Sequence, residues 1–469
     1  MPYHTVSSYF LYGSEKLDKL YCLPWRCIVN FYDFTLRAWQ FDDSHIQVMV
    51  HSSPDGDMQK PVIVECEPAQ LNTLQRYAES EWSGKSGDYD KIIEIGKQLA
   101  EFILPPSVAK LLEGSLKRIP FQDGLRVRLC LDRFLIDRPW EFLYRTDVDD
   151  EETLSGFIAL NPRISLVRGV PNLTNDFQLS ADRQHIAFVG ATWLDGPKPE
   201  NAYQHLVAAL KPVRDLFDVR FLSASDEQLE VELMKQAEIF YYLGHTDLDD
   251  QGAYMIKHSE QTSYQSANRL YSDQISDILV RSRARLAVFA ACNSGKWKFV
   301  RPFLRSGLPI FVGTQGIVSI KGTAVFCQTL FSLLAVGASF DEAVISARQR
   351  LRRLQLIPGT ESVPATESRD WGMFMVYMPI ADGTVFPRPN EYRFRQRTIH
   401  TAILTASEEA EEIRKKQEIL EAHKKRLYER ELQKAEYGMS TDPSINIEID
   451  EITREIRKVE QQIQEMISY

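Results

Sequence analysis

Apolar and polar positions in the first part of the chain predict a mixed α and β segment. Residues 46–50 and 62–66 have the pattern of short strands, and the Ser-Pro-Asp-Gly stretch at 53–56 between them favours a turn. From Tyr89 to Leu116, apolar residues recur at helical spacing until Pro105 and Pro106 interrupt the pattern. These signals together predict a β-hairpin covered by a helix.

The remainder of this part is less regular. Residues 125–129 alternate between Leu or Val and Arg, which predicts a half-buried strand, and residues 139–143 follow after a loop. The aromatic-rich opening at 9–41 shows no readable periodicity. We therefore leave residues 1–44 unassigned and place an N-terminal α/β half at 45–180.

The middle of the chain alternates between strand and helix patterns. It opens with an unbroken apolar run at 186–190, which is typical of a parallel strand buried on both faces. Further strands are predicted at 219–222, 239–243, 286–291 and 310–312, with helices around 206–216, 275–279 and 323–335. This order predicts a parallel sheet at 181–390, in which ligands bind beyond the carboxyl ends of the strands.

The last part of the chain, residues 400–469, predicts a helical hairpin. Thr405 and Glu408 form a capping-box pattern before a long polar helix. Asp442 and Pro443 suit the start of a second helix. Its apolar residues alternate spacings of three and four, at positions 449, 452, 456, 459, 463 and 466. The two helices either pack on each other or form a coiled-coil seam for another chain.

Composition and charge narrow the class of protein. The 469 residues exceed what one hydrophobic core usually serves, and 44% of them are hydrophobic, as in ordinary globular proteins. A formal net charge of -10 argues against a general nucleic-acid binder, because phosphate contacts need clustered Lys and Arg. Residues 1–10 lack a secretory pattern, and apolar runs fall short of the roughly 20 residues of a membrane helix. We expect a cytoplasmic protein with protein partners.

The six cysteines, at positions 22, 27, 66, 130, 292 and 327, are too sparse for a disulfide scaffold. They also lack the paired spacing of zinc sites, and no cluster of His or Cys beside Cys22 and Cys27 completes a set of ligands. Reduced thiols are therefore expected.

Two of the predicted strands are followed by residues that can act in catalysis. His245 follows the apolar run 239–243, and Cys292 follows the run 286–291. An imidazole beside a thiol supplies either the base or the cation that a thiolate nucleophile needs. Their separation of 47 positions is close to the roughly 50 that separate His and Cys in caspases. Taken singly, such a Cys is more often a core residue and such a His a solvated loop residue.

Several short motifs between residues 125 and 378 resemble those of CHAT peptidases, which are grouped with caspases and separases. The matching stretches, in the expected order, are 137–144 (DRPWEFLY), 164–169 (ISLVRG), 242–245 (YLGH), 290–295 (AACNSG), 308–313 (LPIFVG) and 340–343 (FDEA). Thr246 stands where many relatives have Gly, Asn293 where many have an acidic residue, and Gln315 where relatives often have Trp.

The resemblance implies a caspase-like, mostly parallel sheet flanked by helices, preceded by a degenerate caspase-like half. It also implies peptide-bond hydrolysis without metal or cofactor. Cys292 would be the nucleophile and His245 the general base, and the backbone N–H groups of Thr246 and Cys292 would stabilise the oxyanion. The alternative is an inactive caspase-like scaffold that assembles a protein complex.

Substrate and partners are expectations of the same kind. Asp247, Asp249 and Asp250 follow His245, and their carboxylates suit a basic substrate side chain, although Asp is equally common in solvated turns. Gln315 is a further candidate for the substrate pocket. The resemblance implies a regulated enzyme of a prokaryotic defence or cell-death pathway. Its C-terminal hairpin would recruit an activator or sensor protein, assemble the enzyme or occlude its cleft.

Overall fold

The computed structural model describes residues 30–79, 88–145, 156–169, 184–191, 199–210, 217–224, 229–258, 268–335, 338–354, 369–379, 419, 422–427, 430, 434 and 443–468. The chain forms two compact units. The larger is Cys27–Pro389, and the smaller combines Met1–Arg26 with Asn390–Tyr469.

The larger unit contains an 11-stranded sheet and a separate three-stranded sheet. The strands of the large sheet are β1 (Phe31–Gln40), β2 (His45–Ser52), β3 (Val62–Glu65), β4 (Gly124–Leu131), β5 (Ile164–Gly169), β6 (Gln184–Gly190), β7 (Phe217–Ser223), β8 (Ile239–Leu243), β12 (Leu286–Ala290), β13 (Ile310–Thr314) and β14 (Phe374–Tyr377). The strands of the small sheet are β9 (Thr246–Leu248), β10 (Ala253–His258) and β11 (Asn268–Tyr271).

The strand order of the large sheet is β3-β2-β1-β4-β5-β14-β13-β12-β8-β6-β7. Its neighbours are parallel except in the pairs β1/β2, β2/β3 and β13/β14. Because β13 and β14 are antiparallel, the parallel strands on either side of them run in opposite directions. The carboxyl ends of the two groups therefore lie at opposite edges of the sheet.

Helices and short helical turns connect these strands. They are α1 (Pro68–Glu79), α2 (Asp88–Ile103), α3 (Pro106–Arg118), α4 (Pro199–Leu210), α5 (Leu229–Met234), α6 (Ser272–Arg281), α7 (Trp297–Arg305), α8 (Ile320–Ala335), α9 (Phe340–Leu354) and α10 (Asp370–Met373), with 3-10 turns at Trp140–Phe142 and Ile158–Leu160. The predicted alternation of strands and helices in the middle of the chain is confirmed. Helix α4 is described only as far as Leu210, so the rest of the pattern predicted to residue 216 lies outside the described residues.

The N-terminal hairpin is confirmed, but a third strand joins it. Strand β1 pairs with both β2 and β4, and it lies within the segment that showed no readable periodicity. Phe34, Leu36 and Ala38 point into the core, while the residues between them are partly exposed. The alternation of a half-buried strand is therefore present. Aromatic side chains on the outer face, Phe31 and Trp39, obscure it in the sequence.

The expectation that β4 is half-buried is wrong. Arg126 and Arg128, which the alternation assigned to solvent, are both buried. The guanidinium group of Arg126 binds the carboxylate of Asp341 through two contacts of 2.9 and 2.5 Å, and Arg128 donates to Asp33 at 2.8 Å. Paired carboxylates allow the strand to be covered on both faces, because each buried charge has a partner.

Two of the sequence motifs meet in a buried ion pair. Arg168, in β5, donates to both carboxylate oxygens of Glu141, at 3.0 and 2.6 Å, and each side chain is only 1% exposed. Arg348, in α9, lies nearby and donates to the carbonyl oxygens of Leu166 and Phe374. Desolvation lowers the pKa of Arg348 to about 10. Motifs more than twenty residues apart in the sequence thus form one buried network.

The smaller unit contains helix α11 (Pro443–Ser468), which begins at the predicted proline. The described helical residues at 419, 422–427, 430 and 434 lie antiparallel to it. His423 contacts Glu455 at 3.3 Å, and Arg430 contacts Glu448 at 2.6 Å. The chain therefore ends in an α-helical hairpin, as predicted.

The apolar seam of the second helix is partly visible. Ile452 and Ile456 are buried, as is Ile445 at the start of the helix. The capping-box residues Thr405 and Glu408 lie outside the described residues. Within the described part of the chain, no helix combines the length and the apolar character needed to cross a membrane.

Candidate active site

The pairing of β8 with β12 brings the two predicted chemical residues to neighbouring strand ends. The strands are parallel, and Leu243 lies opposite Ala290. His245 and Cys292 each follow two residues later, so both lie on loops at the same edge of the sheet. The sequence predicted this arrangement, and the register of the two strands accounts for it.

The His245 loop is held by a tyrosine from the strand beneath it. The hydroxyl of Tyr242 accepts the N–H of His245 at 3.1 Å and lies 2.9 Å from the carbonyl oxygens of His245 and Ile256. Gly244 packs against the same phenol, where a Cβ atom would collide with the ring. Glycine is therefore required here by internal packing.

The imidazole of His245 is partly buried. Desolvation lowers its pKa below the ordinary value of 6.5, because burial disfavours the charged form. The ring is therefore neutral at physiological pH. A neutral imidazole is the state that accepts a proton from a thiol.

Cys292 is a half-buried free thiol on a tightly folded loop. The next residue, Asn293, has a φ of 61°, in the left-handed region that Asn tolerates better than most residues. The hydroxyl of Ser294 donates to Phe289 O at 2.9 Å and accepts the N–H of Thr314 at 3.0 Å. These bonds turn the chain directly after the nucleophile candidate.

A hydrogen bond joins the two loops. The hydroxyl of Thr246 donates to the carbonyl oxygen of Cys292. A glycine at this position would have no side chain to make this bond. The threonine therefore gives this chain an additional link between the residues beside the imidazole and the thiol.

The backbone N–H of Thr246 points away from its partner strand. His245 pairs with Ile256, and Asp249 with Gly252, through backbone hydrogen bonds between β9 and β10. Bonded and non-bonded positions alternate in an antiparallel pair, so Thr246 occupies a non-bonded position. Its N–H is therefore directed toward the free edge of β9.

Two of the predicted pocket carboxylates, Asp247 and Asp250, are exposed to solvent. Asp247 accepts the N–H of Leu248 at 2.8 Å. Both side chains are accessible on the segment that follows His245.

Asp249 is bound within its own sheet. Its carboxylate contacts Arg269 at 2.5 Å and the hydroxyl of Tyr271 at 2.9 Å. Desolvation alone would raise the pKa of Asp249, but the hydrogen bonds it accepts, beginning with the N–H of Gly252, lower it. This carboxylate stabilises the β9 to β11 sheet.

Gln315, the remaining pocket candidate, is fully buried. Its side-chain amide donates to Gly372 O at 2.5 Å, and its backbone N–H donates to Met373 O at 3.0 Å. The residue thus fastens the end of β13 to α10 rather than lining an exposed surface.

Several supporting residues were not assigned a role from the sequence. Tyr242 belongs to the motif at 242–245. Its polar hydroxyl near the end of an apolar strand was the sequence feature that could have indicated a role beside His245. Asp137, in the first of the motifs quoted above, accepts the N–H of Trp297 at 2.6 Å. Tyr377 donates to Gly295 O at 2.8 Å. Neither of these long-range contacts leaves a periodic signal in the sequence.

The arrangement has the components of nucleophilic acyl transfer: an accessible thiol, a neutral imidazole and an outward-facing backbone N–H. Among the described residues, no cluster of His, Cys, Asp or Glu is suited to hold a metal ion.

Comparison with known proteins gives one family match. The model of the CHAT domain matches residues 94–379. No curated protein sequence matches the chain.

Solved structures also match. Separase in the Saccharomyces cerevisiae separase-securin complex is 14% identical with a TM-score of 0.32, and the match covers 58% of this chain and 17% of that one. The Arg-specific cysteine proteinase gingipain R is 9% identical with a TM-score of 0.39, and the match covers 64% and 75% of the two chains. This chain therefore spans about a sixth of the length of the separase chain.

Proposed function

Because the chain belongs to the CHAT domain family, we propose that it is a cysteine endopeptidase that cleaves a protein substrate. The observation that best supports this proposal is the pairing of Leu243 with Ala290. This register sets His245 and Cys292 on adjacent strand ends.

The proposed reaction has two stages. His245 takes the proton of the Cys292 thiol, and the thiolate forms a bond to the scissile carbonyl carbon. The imidazolium then gives its proton to the departing amine, which leaves an acyl-enzyme. His245 next removes a proton from a water molecule that attacks the thioester, and the acid product and free thiol are released. The lowered pKa of His245 supports its role as the base.

The tetrahedral intermediate in each stage carries a negative oxygen. We propose that the backbone N–H groups of Thr246 and Cys292 donate to it. The direction of the Thr246 N–H, away from β10, supports this role. The hydrogen bond from Thr246 to the Cys292 carbonyl would keep the two donors at a fixed separation.

A basic residue before the scissile bond is the proposed preference, because Asp247 and Asp250 present exposed carboxylates after His245. Cleavage rates of matched peptides with Arg, Leu or Asp at that position test it. Replacing both carboxylates by amides should abolish a preference for Arg, whereas an unchanged preference would assign it to other residues.

We further propose that the enzyme is regulated through its C-terminal hairpin, by an activator or sensor protein or by self-association. A place in a prokaryotic defence or cell-death pathway rests on the family resemblance alone, and a cytoplasmic location rests on the sequence patterns described above.

The deciding experiment is cleavage of a peptide library by the purified protein, with and without cell lysate as a source of activator. Cys292→Ala and His245→Ala variants are assayed in parallel. Cleavage that disappears in both variants supports the peptidase. Absence of cleavage under every condition favours the alternative, an inactive caspase-like scaffold.

A further inference from the structure

The loop that carries Cys292 is fastened to a distant part of the chain. Helix α7 begins at Trp297, five residues after the thiol. The first N–H groups of a helix have no partner within it and need an outside acceptor. A carboxylate oxygen of Asp137 accepts the N–H of Trp297 at 2.6 Å, across 160 residues of sequence.

A second contact joins the same two segments. The Lys296 ammonium group donates to the carbonyl oxygen of Asp137 at 3.4 Å. Asp137 belongs to the loop after β4, in the first group of strands, whereas Cys292 follows a strand of the second group. Both the side chain and the main chain of Asp137 therefore bind the segment that follows Cys292.

Other contacts restrain the loop on its remaining sides. Tyr377 is fully buried and donates to Gly295 O at 2.8 Å, and the N–H of Gly295 donates to Thr314 O at 2.8 Å. A Cβ atom at Gly313 would lie 2.6 Å from the nitrogen of Gly295. The loop is thus pressed against β13, and the Asp137 carboxylate sets where α7 begins.

We propose that Asp137 is a positioning residue that holds the Cys292 thiol within reach of His245. The first group of strands thereby controls the reactivity of a thiol carried by the second. This inference rests on the proposed function, because it concerns the same thiol and imidazole.

The test measures the rate at which iodoacetamide alkylates Cys292, followed by mass spectrometry of the peptide that contains it. Burial raises the pKa of Cys66 to about 11 and that of Cys327 to about 12, so both remain protonated and react slowly. This readout needs no substrate.

Asp137→Ala and His245→Ala are compared singly and together. Each single variant should slow alkylation at neutral pH by about tenfold. His245→Ala removes the base, and in Asp137→Ala a misplacement of the thiol by about 1 Å is enough for such a loss. The double variant should be no slower than His245→Ala alone, because both changes remove the same interaction. Asp137→Asn, which keeps an acceptor oxygen, should restore most of the rate.

A matched control is Asp132→Ala. Asp132 also accepts backbone N–H groups, those of Gln40, Phe134 and Leu135, and all three lie outside the segment that follows Cys292. It should leave alkylation within about twofold of the wild type.

The hydrogen bond from Trp297 to Asp137 can also be removed by changing its donor. Lys296 has φ and ψ of -67° and 142°, the conformation that precedes proline, and proline is favoured at the first position of a helix. Trp297→Pro therefore deletes the N–H, while Trp297→Ala deletes only the side chain. Slower alkylation in the proline variant than in the alanine variant is expected, even if Asp137→Ala does not fold.

The outcomes separate the two proposals. If His245→Ala leaves alkylation unchanged, the proposed thiol–imidazole pair is wrong, and the role of Asp137 is rejected with it. If His245→Ala slows alkylation but Asp137→Ala and Trp297→Pro match their controls, only the positioning role is overturned. Additive losses in the double variant would also overturn it.

Discussion

Partial burial sets the protonation of His245, the residue on which the proposed chemistry depends. Desolvation lowers its pKa below 6.5, and the hydroxyl of Tyr242 fixes its main chain. Cys292 has a different kind of support, since its loop is held by backbone contacts and by the left-handed residue Asn293. The two candidate catalytic residues are therefore held in place by neighbours that take no part in the proposed reaction.

The first prediction concerns pH. Because burial holds the pKa of His245 below its ordinary value of 6.5, the acid limb of kcat/KM for peptide cleavage should have its midpoint below pH 6.5. The same shift makes the unfolded chain bind more protons between 6.5 and the lower folded pKa, so stability should decrease as pH falls through that window. An acid limb with its midpoint at or above pH 6.5 would contradict this.

The second prediction concerns Asn293. Its φ of 61° costs most side chains about 1–2 kcal/mol, so Asn293→Val should lower the free energy of unfolding by about that amount, while Asn293→Gly should not. Urea denaturation measures both. Arg283 has a φ of 62° on an exposed turn away from the dyad, so Arg283→Val is the matched control. Because arginine already bears most of that cost, Arg283→Val should lower the free energy of unfolding less, and only Asn293→Val should reduce peptide cleavage.

Among the elements, the parallel pair β8/β12 and the small β9 to β11 sheet define the site. Pairing in register brings two strand ends together, and β9 leaves the N–H of Thr246 facing outward. Beyond them, the Arg168 and Glu141 pair joins β5 to the turn after β4. These elements are held together by buried polar contacts as well as by apolar packing.

The third prediction tests this buried pair. Glu141→Gln leaves the Arg168 charge without its carboxylate, and should lower the free energy of unfolding by about 3–5 kcal/mol. The matched control is Glu113→Gln, which breaks the exposed pair with Lys117 and should cost less than about 1 kcal/mol. Urea midpoints report both values. Similar midpoints for the two variants would mean that the buried pair contributes no more than a surface pair.

The whole molecule combines two groups of parallel strands that run in opposite directions within one sheet. The dyad candidates occupy one edge of the second group, and the Asp137 contact joins that group to the first. The C-terminal hairpin belongs to the smaller compact unit. Because the hairpin and the two candidate catalytic residues belong to different units, we expect that changes in the hairpin leave the Cys292 and His245 pair intact.

The fourth prediction follows from that division. Deletion of Thr405–Tyr469 should leave Cys292 alkylation within about twofold of the wild type, because the residues that hold the thiol all lie in the larger unit. In lysate, the same deletion should change peptide cleavage by about tenfold or more if the hairpin recruits an activator. Ile452→Asp, which disrupts the hairpin without shortening the chain, should have the same effect. Slower alkylation in both variants would show that the thiol depends on the hairpin.

The sequence by itself determined the candidate residues and most of the elements. Apolar runs of five or six residues before His245 and Cys292 identified two buried strands, and the order of motifs indicated the family. Local patterns are sufficient for this, because hydrophobic period and turn residues act over a few positions. Tyr242 and Asp137 lay inside quoted motifs, but nothing in their spacing assigned them a role.

Only the tertiary structure decided which polar residues are internal and which segments meet. The alternation of apolar and polar residues assigned Arg126 and Arg128 to solvent. Both are buried, and each binds a carboxylate from a distant segment. The reversal of direction at β13 and β14, and the bond from Trp297 to Asp137, are equally invisible in any short window. The physical reason is that burial of a charge, or the capping of a helix, depends on a partner supplied by the fold, and sequence separation carries no information about that partner.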